Sequence, residues 1–204
     1  MDSKKEARIG RPRGFDADAA LERAMLVFWA QGYEGASLED LTAAMGITRT
    51  SMYRAFGNKE TLFRKALERY TEGPASYVAE ALRQPSAREV AIAFLSGAVR
   101  SATRADLPAG CLGVQGSLAA GESGRVARDT LTVWRETGTT YLRDRFQHAV
   151  ENGDLPADTD PGLLARYVMS VANGIAVQAA GGTTRDELQP VADMDMNAWP
   201  TDDY

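Results

Sequence analysis

The pattern of apolar residues along the 204-residue chain is helical almost throughout. From residue 16 onward, apolar positions recur at intervals of three and four, which is the spacing of one helix face, whereas the alternation typical of strands is scarce. The breaks between these segments fall at glycine and proline, as in Leu107-Pro108, Gly121 and Gly181-Gly182. The pattern therefore predicts an all-α protein.

The first four predicted helices begin at side chains that commonly cap helix N-termini. These predicted caps are Asp16, Ser37, Thr48 and Asn58. Asp40 stands where it can complete a capping box with Ser37, and Gly32, Gly46 and Gly57 follow the first three helices as stops. Gly73-Pro74 should kink or interrupt the fourth helix.

The remaining helices are predicted at about 86–104, 110–120, 122–152, 160–181 and 184–198. We expect a disordered basic arm at residues 1–14, a three-helix helix-turn-helix domain at 15–74 and a larger helical domain at 75–204.

Two short helices meet at Gly46, and the second has an unusual polar face. With Met52 and Phe56 placed inward, the outward and N-terminal positions carry hydroxyl, phenol and guanidinium groups: Thr48, Arg49, Thr50, Ser51, Tyr53 and Arg54. Such groups can bond DNA phosphates and base edges, and a helix in this position of a helix-turn-helix enters the major groove. An incidental corner between two helices has the same spacing, so spacing alone leaves that alternative open.

The charge of the chain supports two separate roles. The net charge is −5, but it is unevenly spread: residues 1–70 carry +2 and residues 71–204 carry −7. The first 14 residues alone carry +3. A basic end joined to an acidic body is typical of a protein in which one part meets a polyanion.

The segment 15–63 resembles the DNA-binding domain of TetR-family transcriptional regulators. The resemblance rests on Phe28, Gly32-Tyr33, Ser37-Leu38, Leu41, Gly46-Ile47-Thr48, Ser51, Tyr53, Phe56, Lys59-Glu60 and Leu62-Phe63. It implies a homodimer that places two recognition helices in successive major grooves of double-stranded operator DNA. It also implies that the larger domain at 75–204 is the site of dimerisation and of regulation by a small molecule, which we expect to be apolar or aromatic.

Carried over by position, the resemblance assigns phosphate contacts to Ser37, Tyr53 and Lys59. It assigns base contacts to Thr48, Arg49, Thr50 and Arg54. Ala55 departs from the pattern, because many members have a histidine there, and the contact made by that histidine is missing. In the basic arm, we expect Arg11 and Arg13 to enter the minor groove.

The larger domain lacks the residues of a catalytic or metal site. The chain has one histidine, His148, and one cysteine, Cys111, and no cluster of acidic residues with metal-ligand spacing. We therefore expect neither an enzyme nor a cofactor. The candidates for a ligand cavity are scattered aromatic and polar residues: Phe94, Cys111, Gln115, Trp134, Tyr141, Tyr167, Asn173 and Gln178.

Cys111 admits two interpretations. A free cysteine in an apolar setting usually behaves as a small hydrophobic residue. Its place at the start of a predicted short helix would instead favour a thiolate, and hence a redox-sensing repressor. The sequence favours the inert interpretation and leaves the sensor open.

The apolar helix at 160–181 has hydrophobic residues on several sides and must be covered. We expect it to pair with its two-fold mate, together with the 184–198 helix.

The longest uncharged run of the chain, Tyr167 to Thr184, contains several polar and glycine residues, so a buried helix fits better than a membrane span. The charged N-terminal segment lacks the apolar run of a signal peptide, so we expect a cytoplasmic protein. The alternative to a transcriptional regulator is a helical enzyme or small-molecule-binding protein in which the corner between the two short helices is incidental.

Overall fold

The computed structural model describes residues 15–118, 124–195 and 199–200, and the regular elements among them are all helices. The helices are α1 (Ala17–Gly35), α2 (Leu38–Met45), α3 (Arg49–Phe56), α4 (Lys59–Glu72), α5 (Tyr77–Leu82), α6 (Ala87–Ala102), α7 (Leu112–Leu118), α8 (Arg125–Glu151), α9 (Pro161–Ala180) and α10 (Arg185–Asp195). The predicted all-α class is confirmed. The basic arm at 1–14 lies outside the described residues.

The predicted caps of the first four helices are confirmed. The Asp16 side chain accepts hydrogen bonds from the backbone N–H groups of Asp18 and Ala19. Ser37 and Asp40 form a reciprocal capping box on α2, and Asn58 caps α4. Gly46 has φ 68° and ψ 31°, a left-handed conformation that a residue without a side chain adopts most easily, and it turns the chain from α2 into α3.

The core of α1–α4 is built from aromatic residues. The rings of Phe28 and Phe63 meet edge to face with centroids 5.1 Å apart, and Tyr33 packs on Phe63 at 5.2 Å. Trp29 meets Tyr70 edge to face at 4.9 Å. These contacts hold α4 against α1, so the small helices α2 and α3 have a firm support.

The chain breaks where Gly73-Pro74 was predicted to break it. Helix α4 ends at Glu72, and α5 begins at Tyr77. The Ser101 hydroxyl on α6 donates a hydrogen bond of 2.9 Å to the Pro74 carbonyl, which anchors the connection to the second domain.

The second domain is organised around α6 and α9. Helix α6 packs against α5, α9 and α10, and α9 also packs along α8. Among the described helices, α9 is the one whose length and apolar composition would suffice to cross a membrane. Its residues Ala165, Val168 and Ile175 are buried in the core of this domain, as expected for a core helix.

The two domains share a hydrophobic core. Leu112 at the start of α7, together with Ala127 and Leu131 of α8, is buried in the same cluster as the residues of α1–α4. Helices α1–α4 are therefore packed directly onto the second domain.

Candidate DNA-binding surface and effector cavity

Helix α3 presents the polar face that its sequence predicts. Met52 and Phe56 are buried, and Arg49, Thr50, Tyr53 and Arg54 are exposed. Helix α3 contains no acidic residue, so its exposed guanidinium groups are not opposed by a carboxylate on the same helix. This surface can approach a polyanion without repulsion from its own helix.

Several hydroxyl groups of the predicted DNA surface also stabilise the helix-turn-helix itself. The Ser37 hydroxyl accepts from the Asp40 N–H at 3.0 Å and donates to the Asp40 carboxylate at 2.6 Å. The Thr48 hydroxyl accepts from the Ser51 N–H at 3.2 Å and donates to the Ser51 hydroxyl at 3.1 Å. Ser37 would have to exchange its bond to Asp40 in order to donate to a phosphate.

Lys59 lies at the N-terminus of α4 against an aromatic ring. Its Nζ is 4.6 Å from the centroid of the Tyr33 ring, which is a cation–π contact. Burial lowers the pKa of Lys59, and the nearby Glu34 carboxylate opposes this change. Lys59 is the first residue of α4, and the N-terminus of a helix favours anions.

A cavity of about 190 Å³ lies between α4 and the helices of the second domain. Five of the eight predicted ligand residues line it: Phe94, Cys111, Trp134, Tyr141 and Asn173. Gln115 does not belong to the lining, although its buried Oε1 has no hydrogen-bond partner in the described structure. Tyr167 and Gln178 lie on an exposed side of α9, away from the cavity.

The lining also contains residues that the sequence analysis did not single out. The main ones are Tyr70, Thr71, Tyr77 and Arg135. Tyr70 and Thr71 belong to the last turns of α4, which were predicted to belong to the DNA-binding domain. On α8, Trp134, Gly138 and Tyr141 are spaced as residues of one helix face, so the spacing could have predicted that Gly138 also lines the cavity.

Two glycines let aromatic rings form the cavity wall. A Cβ atom added to Gly97 would overlap the Tyr77 ring, and one added to Gly113 would overlap the Trp134 ring. Each ring therefore lies directly on a helix backbone, and larger residues at these two positions would push the rings away.

Hydrogen bonds tie the cavity wall to α4. The Tyr70 hydroxyl donates to the Cys111 Sγ at 3.2 Å, and the Trp134 Nε1 donates to the Thr71 hydroxyl at 2.8 Å. Through these contacts, the last turns of α4 bind both α8 and the segment that precedes α7.

The cavity favours the protonated forms of its phenols and its thiol. Burial raises the pKa of Tyr70, Tyr77 and Cys111. For Cys111, the Tyr70 hydrogen bond, the backbone N–H groups of Gly113 and Val114 and the charge of Arg135 lower the pKa, but burial outweighs them. All three groups are therefore hydrogen-bond donors near neutral pH.

The described residues contain no group of three or more histidine, cysteine, aspartate or glutamate side chains that could hold a metal ion. Tyr70 and Cys111 are the only titratable pair joined by a hydrogen bond in the cavity lining that the structure describes, and neither ionises readily.

Both domains match known protein families. Residues 20–66 match the model described as bacterial regulatory proteins, tetR family. Residues 91–194 match the model described as tetracyclin repressor-like, C-terminal domain.

Curated relatives agree over nearly the whole chain. The HTH-type transcriptional repressor ComR of Escherichia coli is 32% identical over 94% of this chain and 92% of its own length. The uncharacterized HTH-type transcriptional regulator YezE of Bacillus subtilis is 33% identical over 93% of this chain and 98% of its own.

One similar solved structure is that of a cysteine mutant of the TetR family transcriptional regulator CifR, complexed with 26-base-pair double-strand operator DNA. Its sequence is 42% identical to that of this chain. It has a TM-score of 0.89 over 93% of this chain and all of its own. A second similar structure, of a TetR regulator from a Rhodococcus species, is 43% identical with a TM-score of 0.61 over 91% of this chain and 99% of its own. The two family models, the relatives of matching length and the shared helix-turn-helix show that the chain belongs to the TetR family of bacterial transcriptional regulators.

Proposed function

We propose that this DNA-binding regulator is a repressor that binds a palindromic operator as a homodimer and is released by a small molecule in the cavity. The observation that carries the proposal is the place of Tyr70 and Thr71. Both line the cavity, and both belong to α4, which begins directly behind the recognition helix α3. A molecule in the cavity therefore touches the helix that positions the DNA-reading surface.

We assign base contacts to Thr48, Arg49, Thr50 and Arg54 and phosphate contacts to Ser37, Ser51, Tyr53 and Lys59. Exposed guanidinium groups such as that of Arg54 can pair bidentately with guanine, which supports base reading. The cation–π contact of Lys59 supports a phosphate contact, because it holds the ammonium group at the start of α4. Arg11 and Arg13 in the basic arm would add minor-groove contacts. The operator complex of CifR supports double-stranded DNA as the partner.

The dimer is supported by apolar residues left exposed on α9 and α10. Leu163 of α9 is 66% exposed and Met194 of α10 is 71% exposed, and Tyr167, Val177 and Val191 are also exposed. Soluble proteins rarely leave such a group of apolar side chains uncovered. A Cβ added at Gly174, on the same helix, would meet nothing within 4 Å, so a partner helix can approach closely there. We infer that α9 and α10 form the two-fold interface.

The protein is released from its operator if a ligand bound in the cavity displaces α4 from its present position. The interior around Tyr70 is closely packed, and packed interiors change between discrete arrangements. A displaced α4 would alter the spacing of the two recognition helices, which must match major grooves about 34–36 Å apart. We expect an apolar or aromatic effector, because rings and alkyl groups form most of the lining. As a soluble DNA-binding regulator, the protein would act in the cytoplasm.

A second candidate function is thiol sensing at Cys111, which is favoured by its position in the cavity wall. The raised pKa of the Cys111 thiol argues against it, because the thiolate is the reactive form. An enzymatic function has no support in the relatives, which are transcriptional regulators.

Replacement of the base-reading and phosphate-binding residues tests the DNA surface. Arg54→Ala should weaken operator binding by about 1–3 kcal/mol and relax discrimination at one base pair. Lys59→Ala should weaken binding to all DNA and reduce the salt slope by about one. Fluorescence anisotropy with DNA from beside the gene and with random DNA measures both. Arg143→Ala, on α8 and paired with Asp144, is the control. Unchanged operator affinity in Arg54→Ala would remove the base-reading assignment.

Charged substitutions on α9 test the dimer interface. Gly174→Arg and Val177→Glu add a charge at exposed positions, so the monomer should fold normally while the dimer dissociates. Light scattering and operator binding should show monomers with little operator affinity. Ala79→Glu, at an exposed position of α5, should remain dimeric. If both α9 variants still form dimers, the interface lies elsewhere on the protein.

The pH dependence of alkylation separates an inert Cys111 from a sensor. Because the pKa of Cys111 is raised, its thiolate fraction at neutral pH is below that of an ordinary cysteine. Iodoacetamide should therefore react slowly, and the pH midpoint of its rate should lie above that of free cysteine. Whole-protein mass spectrometry reports the reaction directly, because Cys111 is the only cysteine. A rate midpoint below that of free cysteine would support the sensor.

A further inference from the structure

The lining of the cavity includes several hydrogen-bond donors and one positive charge. Arg135 is the only charged residue in the lining that the structure describes, which contains no aspartate, glutamate, lysine or histidine. Its charge reaches the Cys111 thiol, whose pKa it lowers against the effect of burial. A ligand in this cavity therefore meets a cation and no anion.

Arg135 is held in place but has no counter-ion. Its Nη1 donates to the Gly113 carbonyl at 2.7 Å, and its Nη2 donates to the Thr132 hydroxyl at 3.2 Å. These two bonds leave other N–H groups of the five on a guanidinium available. Among the described residues, no carboxylate forms an ion pair with Arg135. Arg135 and Glu136 also line a second pocket, which lies between α8 and α9. A partly buried cation without a counter-ion gains from pairing with a bound anion.

The neighbouring polar groups are also donors. Tyr70, Tyr77 and Cys111 keep their protons near neutral pH, because burial raises the pKa of each. The Tyr70 hydroxyl donates its hydrogen bond to the Cys111 Sγ, whereas the Tyr77 hydroxyl forms no hydrogen bond with the described residues. The cavity thus offers a phenol donor as well as the Arg135 guanidinium, and both can donate to an acceptor on the ligand.

The rest of the lining is apolar and limits the size of the ligand. Phe94, Val78 and Met169 contribute rings and alkyl groups, with alanines between them. The volume is about 190 Å³. A dry cavity of about 150 Å³ in another protein accommodates benzene. The space here therefore suits one ring with a small substituent.

We propose that the effector cavity takes a compact organic acid: a molecule with one ring or short alkyl body whose single carboxylate pairs with Arg135. This inference rests on the proposed function and names the chemistry of its ligand. A cation is disfavoured because the described lining holds no acidic residue. A neutral amide or alcohol could satisfy the donors but would leave the charge of Arg135 without a counter-ion.

Three probes of nearly equal shape separate these classes: benzoate, benzamide and benzamidine. Titration calorimetry with the full chain, without DNA, should show benzoate binding about ten- to a hundredfold more tightly than benzamide. Benzamidine should not bind. Cyclohexanecarboxylate and cyclohexanecarboxamide repeat the comparison with a non-aromatic body, so that a poorly fitting ring does not decide the outcome.

Arg135→Gln should remove the preference of each acid over its amide, and Arg135→Lys, which keeps the charge, should retain part of it. Arg143→Gln, on the same helix but outside the cavity, should bind as the unaltered protein does. The proposal is overturned if the amides bind as tightly as the acids, if neither acid binds at the highest soluble concentration, or if Arg135→Gln keeps the preference.

Release from operator DNA is a separate measurement on the same protein. A chain that binds benzoate and stays on DNA would support the acid site and contradict the proposed release. A chain that binds operator and is released by neutral amides, but not by acids, would keep the proposed function and overturn the acid site.

Discussion

The packing of the Tyr70 side chain links the two halves of this regulator. Its ring meets Trp29 of α1 at 4.9 Å and Trp134 of α8 at 5.9 Å, and its hydroxyl donates to Cys111. The same ring is part of the core that supports the helix-turn-helix and part of the wall of the cavity. The cavity wall cannot be rearranged at Tyr70 without a change in the packing of α4.

The remaining contacts strengthen this link. Leu112 is buried in the core of the DNA-proximal helices, while Cys111, its neighbour in the chain, lines the cavity. Trp134 binds Thr71 and lies on the backbone at Gly113. A ligand bound in the cavity would therefore act on α4 from the cavity side, and DNA would change the affinity for that ligand by the same factor.

The local structure could be predicted from the sequence because it depends on neighbouring residues. Asp16, Ser37, Thr48 and Asn58 cap their helices through bonds two or three residues away, and Gly46 turns the chain through its own backbone. Such bonds are visible in sequence spacing.

The cavity could be predicted only in part, because its lining depends on which helix faces meet. Tyr70 lies in a helix that the sequence assigns to the DNA-binding domain, and only the packing of α4 against α7 and α8 brings it to the cavity. On α9, Tyr167 and Gln178 lie about 120° and 140° around the helix from Asn173, so a cavity that includes Asn173 leaves them outside. Polar and aromatic composition indicated that a cavity exists, but it did not select the face of α9.

The most direct test of the link fills the cavity without any ligand. Ala176 of α9 is buried and lines the cavity, so Ala176→Phe should occupy part of the space and displace the wall formed with α4. The account predicts that this variant, still folded and dimeric, binds its operator about 5- to 150-fold more weakly, the usual range of allosteric coupling. Ala79→Phe, exposed on α5, should bind normally. Normal operator affinity in a folded, dimeric Ala176→Phe would contradict the claim that the cavity controls α4.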